Sequence, residues 1–591
     1  MKKAIILTTI ALAAGYLLHQ AGGITYTKRT DPLGREYHQK SNFFTGKFHT
    51  IVDTSRKEFD AKNINWQELA DKIKNYKPEE PKNTKSQFFG APLTKTAADN
   101  SEESEELLSC RPGLDYFKWS ANTAAKLSKP GQLATSEGHC FKDVSFSFEW
   151  DDETKKDSLT VTIKAQHKKS WFCHDWYAVS LGLNTDFSIQ FLGGEYRKTF
   201  KNLTPELREA VDLVGVKIFR FCDSVFNFVP NLVKTGALFF GGFGLNPHIP
   251  IMGSRVPQIV QDLNVDFVKK ATGYQWRKRP KQFFIDLDES YVQSGDFLGI
   301  TRFDGIDNII HWGSGSRTGH SVMALWDRTG PVPELYIVES QAALYWPKAG
   351  IQRTKFSEWK KLANNAGYNV VHLPLSKEYA AKFDEEKAWK WFRQTEGMPY
   401  GFRNFLFTFV DEDNHNIPAV SDLDFVYYAF KTLTTHLPQV QLQRLVQEAL
   451  NWRLGTEGLD LQGIELEAAR KGVSLKQLVN IPEKNKVKYS DGYSYVCSGY
   501  VTSMWLEAGV FGDLDILPSE FTPMNIYQLK IFEPNAEMSP ECKLHNPGMP
   551  YCQIMGEFYT ELDNFNTIDP YNHMDEHCAT QAPFYRQAKG C

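Results

Sequence analysis

Apolar and polar residues alternate through Val144-Ser145-Phe146-Ser147-Phe148-Glu149-Trp150, and again through Leu159-Thr160-Val161-Thr162-Ile163 after a charged turn. A period of two puts every apolar side chain on one side of an extended chain, which predicts two half-buried strands. From Cys110 to about Phe200 this pattern predicts a small β-rich accessory domain. A second pair of strands is predicted where Gly319-His320-Ser321-Val322-Met323-Ala324-Leu325-Trp326 meets the turn chemistry of residues 327–331 and returns as Leu335-Tyr336-Ile337-Val338-Glu339. Gly295 to Ile300 predicts a strand before them. In Cys497 to Gly509 the apolar residues Val501, Met504, Trp505 and Ala508 follow helical spacing, with Gly509 as the stop and Tyr493 to Val496 as a short strand leading in. Further helices are predicted over Pro205 to Phe228, Phe425 to Leu433, Val440 to Leu454 and Ile464 to Val479, and a short one near Trp66 to Tyr76.

These elements place three chemically useful residues. Cys497 falls at a helix N-terminus, where unpaired backbone N–H groups and the helix dipole favour a thiolate and can bind a developing oxyanion. If Trp326 pairs with Leu335, Val322 lies opposite Glu339, and His320, two residues away, shares that face. A slip of one residue would turn His320 and Glu339 apart. In register, Glu339 orients the His320 imidazole and stabilises its charged form, and the imidazole takes the proton of a thiol.

The N-terminus adds a compartment. Lys2 and Lys3 precede an apolar run from Ala4 to Leu18, followed by His19, Gln20 and Ala21-Gly22-Gly23, the layout of a secretory signal peptide over residues 1–23. An uncleaved signal anchor is the alternative. Nine cysteines, an odd number, leave at least one thiol over in an oxidising compartment; Cys497 stands alone, with four cysteines before it and four after. Disulfides are therefore expected within the early group and within the late group. Asn202-Leu203-Thr204 is a candidate N-glycosylation acceptor, though Pro205 follows it. The 67 basic and 71 acidic residues nearly balance, and no zinc-finger spacing or Walker-type loop occurs, so nucleic acid is not an expected partner. No cofactor or metal is expected either: the oxygen-rich loop Asp411 to Asn416 lacks the remaining ligands of a calcium loop.

The Cys497-Ser498-Gly499 and Gly319-His320 motifs resemble those of the NlpC/P60 superfamily of papain-like cysteine hydrolases. The histidine precedes the cysteine, as in the circularly permuted, YiiX-like branch, and Glu339 fits the third position. Tyr400-Gly401 is a further point of similarity. The resemblance covers roughly residues 285–530. It implies an α+β chain with a permuted papain-like catalytic domain that attacks amide or ester bonds through a thioester on Cys497. Peptide, peptidoglycan-type and lipid-acyl substrates all fall within that implication.

Tyr493, Tyr495, Ser498 and Tyr400 are the residues expected to bind substrate or support the oxyanion. The expected plan is a signal peptide (1–23), a polar linker or pro-region (24–105), the accessory domain with a helical segment (106–284), the catalytic domain (285–530) with a helical insertion at about 420–480 capping its cleft, and a disulfide-stapled surface tail (531–591). A secreted or lumenal location follows. Two rival readings are a lipid acyltransferase or amidase with peripheral membrane contact, supported by the Phe239 to Phe243 stretch, and a catalytically inactive secreted binding protein.

Overall fold

The computed structural model describes residues 26–30, 36–40, 116, 119–169, 173–182, 184–190, 192–240, 255–341, 350–402, 423–436, 442–479, 494–535 and 537–572. The signal segment, the helix near Trp66, the Asp411 loop and Tyr493 lie outside them, as do the side chains of Phe239 and Phe240 and all of residues 241–243. The described chain is a mixed α and β protein whose sheets are antiparallel. It opens with a hairpin of β1 (Tyr26–Thr30) and β2 (Glu36–Lys40).

The alternating segments form a two-sheet sandwich. One sheet has the order β3 (Ala121–Leu127), β10 (Val216–Phe221), β7 (Asp175–Leu181), β8 (Asn184–Gln190); the other is β4 (Ala134–Ser136), β5 (Phe141–Trp150), β6 (Ser158–Lys168), β9 (Gly194–Lys201). The predicted alternation is what fills its core: Val144, Phe146, Phe148 and Trp150 of β5 and Leu159, Val161 and Ile163 of β6 pack against Leu127, Val179, Val216 and Ile218 of the facing sheet. The helix expected over Pro205 to Phe228 is three elements: α1 (Pro205–Leu213), strand β10, and α2 (Val225–Phe240). Thr204 caps α1, and Gly215 breaks the helix at φ +86°. The Val216 to Phe221 run then alternates toward both faces of a central strand, a burial that outweighs helical spacing.

The remaining sheet is larger, in the order β11 (Lys278–Phe284), β17 (Cys552–Phe558), β16 (Asn369–Leu373), β12 (Phe297–Thr301), β13 (His320–Asp327), β14 (Glu334–Gln341), β15 (Gly350–Lys355). Successive residues of its central strands go to opposite layers. Phe297, Met323, Leu325, Val338 and Val371 meet α6 (Glu385–Thr395) and α11 (Cys497–Glu507), whereas Leu298, Ile300, Val322, Ile337 and Val370 meet α5 (Phe356–Ala366). Two expected boundaries change accordingly. Strand β11 belongs to this sheet although it precedes residue 285, and the segment expected as a surface tail supplies β17, an interior strand between β11 and β16.

The insertion also differs from its expected place. Helices α7 (Leu423–His436), α8 (Leu442–Leu454), α9 (Leu461–Arg470) and α10 (Leu475–Val479) form a cluster of their own; the last two replace one predicted helix, interrupted at Gly472, φ +68°. Rather than capping a cleft, α7 lays Phe425 and Tyr428 on Trp176, Phe219 and Phe221, the outer face of the sandwich. A buried ion cluster joins the two: Lys217 of β10 contacts Glu465 at 2.9 Å and Asp424 at 2.5 Å, and Lys431 contacts Glu465 at 2.5 Å. Burial alone would raise the Glu465 carboxyl, but the two ammonium groups hold it down at about 2. Replacing Glu465 with alanine leaves two buried lysines poorly compensated; urea unfolding of the variant should show a loss of about 3–5 kcal/mol, the usual cost of breaking a buried pair on one side.

Candidate functional site

Helix α11 is buried on all sides: every residue from Cys497 to Trp505 is inaccessible or nearly so, and the Trp505 Nε1 donates to the Gly295 carbonyl at 2.9 Å. Burying Tyr500, Val501, Met504 and Trp505 stabilises its docking by about 1.5–3 kcal/mol per side chain, which fixes where its first residue lies. The residue before it, Val496, has no side-chain group with which to cap the helix. The backbone amides of Ser498, from the same helix, and of Ser321, from β13, hydrogen-bond the Cys497 sulfur instead. Cys497 is 3% exposed and is the one free cysteine among the described residues. Cys140 pairs with Cys173, Cys542 pairs with Cys552, and Cys222 is disulfide-bonded. These disulfides fit a compartment outside the reducing cytosol. Among the described residues no helix is long and apolar enough to cross a membrane.

The β13–β14 register has Trp326 opposite Leu335 and Met323 opposite Val338, so His320 and Glu339 share a face as the alternation requires. Their side chains meet: His320 Nε2 lies 2.9 Å from Glu339 Oε2, with Glu339 wholly buried and the imidazole 14% exposed. With Nε2 facing the carboxylate, Nδ1 is the ring nitrogen left for the Cys497 sulfur, to which the ring is also hydrogen-bonded. Gly319 is needed beside His320, because a Cβ there would come within 2.2 Å of the Asp307 carboxyl carbon on α4 (Ile306–Ser314).

The electrostatics follow from this contact. Burial by itself would lower the His320 pKa, but the charge and hydrogen bond of Cys497, joined by those of Glu339, push it up to about 10. Burial by itself would raise the Cys497 thiol; the His320 charge and hydrogen bond and the two backbone amides more than reverse that and lower it. Each shift favours the charged form of its own group, the thiolate of Cys497 and the imidazolium of His320. Burial and the charge of Asp304 push the carboxyl of Asp307, in the same neighbourhood, well above the usual carboxylate range.

The remaining expected residues divide. Tyr400 is at the site: its hydroxyl hydrogen-bonds both the sulfur and the backbone amide of Cys497, and burial together with the sulfur's charge raises its pKa well above the ordinary value. Gly401 makes this approach possible, since a Cβ would sit 2.6 Å from the Tyr495 carbonyl carbon; the Gly401 N–H donates to the Tyr495 carbonyl at 2.8 Å. Tyr495 is placed differently. Its ring packs on Trp391 and Tyr500, and over residues 494–496, the described part of the expected strand, one bridge pairs Tyr495 with Tyr400. Ser498 is 1% exposed and contributes its amide to the sulfur. The apolar side chains of Ile306, Ile310, Phe402 and Val496 pack around Cys497 and Tyr400. Asp307, Ser321 and Gln341 escaped the sequence reading. Gln341 alone carried a signal, standing two residues beyond Glu339 on the same strand face.

No family model, curated protein or solved structure matches the chain. Among the described residues no group of three or more His, Cys, Asp and Glu side chains is arranged to hold a metal ion.

The two shifts have opposite signs and define a window. The thiolate is lost as pH falls through the lowered Cys497 pKa, and the imidazolium is lost as pH rises through about 10. Iodoacetamide alkylation of Cys497 should therefore proceed at pH 6–7, below the pKa of about 8.5 of a free thiol. In His320→Ala the rate at that pH should fall at least about tenfold, with the apparent thiol pKa moving up by a unit or more; mass spectrometry of the labelled peptide measures both.

Proposed function

We propose that the protein is a secreted or lumenal cysteine hydrolase with a permuted papain-like, NlpC/P60-type catalytic domain, acting on amide or ester bonds. The observation that carries this reading is the single imidazole hydrogen-bonded on one side to a buried carboxylate and on the other to a free, pKa-lowered thiol at a helix N-terminus. The Cys497 thiolate attacks the acyl carbon, forming a C–S bond while the carbonyl π electrons move to oxygen. The Cys497 amide and the Tyr400 hydroxyl, the latter turned from the sulfur, are the donors for that oxyanion. Collapse of the intermediate breaks the bond to the leaving nitrogen or oxygen, which takes the proton from His320. Water then attacks the thioester with neutral His320 as its base, releasing the acid and returning the proton to the pair. Throughout, Glu339 holds the ring in the orientation that leaves Nδ1 toward sulfur.

Within the substrate set, the apolar surroundings Ile306, Ile310, Phe402 and Val496 favour an acyl group of apolar character, including the lipid-acyl amidase or transferase variant. The inactive-protein reading required a disulfide-bonded Cys497 or a His320 turned away; the free thiol and its hydrogen bond weigh against it.

Cys497→Ala should abolish labelling by an activity-based thiol probe and all acyl release while leaving the thermal unfolding midpoint close to wild type. Glu339→Gln should be milder than Cys497→Ala, lowering turnover and slowing labelling without abolishing either. Labelled lipid amides and labelled muropeptides offered in parallel separate the substrate classes. Activity that survives Cys497→Ala would refute the assignment.

A further inference from the structure

The Glu339 carboxylate uses one oxygen twice. Oε2 accepts from His320 Nε2 at 2.9 Å and from Gln341 Nε2 at 2.7 Å, while Oε1, equally buried, has no hydrogen-bond partner among the described residues. Gln341 is the last residue of β14, 2% exposed, and sits on the same face as Glu339 because the two are two positions apart. The ladder with β15 pins both, pairing Glu339 with Gln352 and Gln341 with Gly350. A buried carboxylate needs hydrogen bonds to stay ionised, and a carboxylate held through one oxygen turns easily about its last torsion. The amide N–H of Gln341 answers both requirements at Oε2, the oxygen that faces the imidazole.

We propose that Gln341 is a positioning residue of the nucleophile site, holding the Glu339 carboxylate with Oε2 under His320 so that the ring keeps Nδ1 toward Cys497. This rests on the thiolate–imidazolium reading above and extends the Cys497, His320 and Glu339 set to a fourth member that touches neither sulfur nor substrate. Its chemistry is donor-specific. Leucine at 341 fills a similar volume but donates nothing, whereas glutamate donates only while protonated.

The test is the pH dependence of Cys497 alkylation in the full-length protein, followed for wild type, Gln341→Leu and Gln341→Glu. A hydrogen bond to a charged group is worth roughly 1.5–3 kcal/mol, so Gln341→Leu should slow alkylation at pH 7 by about ten- to a hundredfold. Gln341→Glu should retain reactivity on the acid side and lose it as the new carboxyl ionises against Glu339, a pH limb absent from wild type. A role limited to packing moves neither feature in the isosteric glutamate variant, which also keeps the test decisive if the leucine variant folds poorly. Wild-type pH profiles in both variants overturn the proposal while leaving the nucleophile intact. A wild-type thiol unreactive at neutral pH overturns the nucleophile reading and takes this inference with it.

Discussion

A buried imidazole that faces a carboxylate on one side and a thiol on the other is the contact on which the site depends. Neither a carboxylate nor a thiolate tolerates burial alone, since each loses several kcal/mol of hydration that only a nearby cation and hydrogen bonds restore. His320 supplies that cation to both, and its own raised pKa is the reciprocal of the stabilisation it provides. Loss of His320 leaves the two acidic groups without their cation, and loss of Glu339 leaves the ring unoriented. The surrounding fold can be understood as the framework that brings these three groups to one point: the β13–β14 register sets His320 against Glu339, and the docking of α11 sets the sulfur.

A second buried ionic group, Lys217, Lys431, Glu465 and Asp424, makes an instructive contrast. Its charges are paired lysine and carboxylate, with Glu465 held at about 2, so it does not change state near neutral pH. It ties the insertion to the sandwich, beside the aromatic contacts of Phe425 and Tyr428. The proposed nucleophile site instead pairs a thiol with an imidazole, groups whose ordinary pKa values straddle neutrality, so a proton can pass between them in that range. Similar electrostatic physics yields a clamp in one place and a reactive pair in the other.

Much of the site was legible because its determinants are local. Helical spacing after Cys497, a turn between Trp326 and Leu335, and the period-two alternation of two strands sufficed to put His320 and Glu339 on one face. The strands of the sandwich were legible for the same reason. The failures have a common cause as well. Val216 to Phe221 has apolar residues on both faces of a central strand, a pattern that does not distinguish a strand from a buried helix segment. Strand β17 comes after a cysteine- and proline-rich stretch that resembles a surface tail, and its place between β11 and β16 depends on pairing with residues 180 or more positions away.

By itself the sequence determined the periodicities, the helix start at Cys497, the strand faces of His320 and Glu339, and the odd cysteine left for chemistry, because each depends on neighbours a few bonds or one hairpin away. Only the tertiary structure decided that Tyr400 rather than Tyr495 reaches the sulfur, that Gln341 shares Oε2 with the imidazole, and that the insertion covers the sandwich. Those outcomes depend on which surfaces bury against each other across hundreds of residues, and the free energy of that burial is a property of the assembled layers rather than of any local segment.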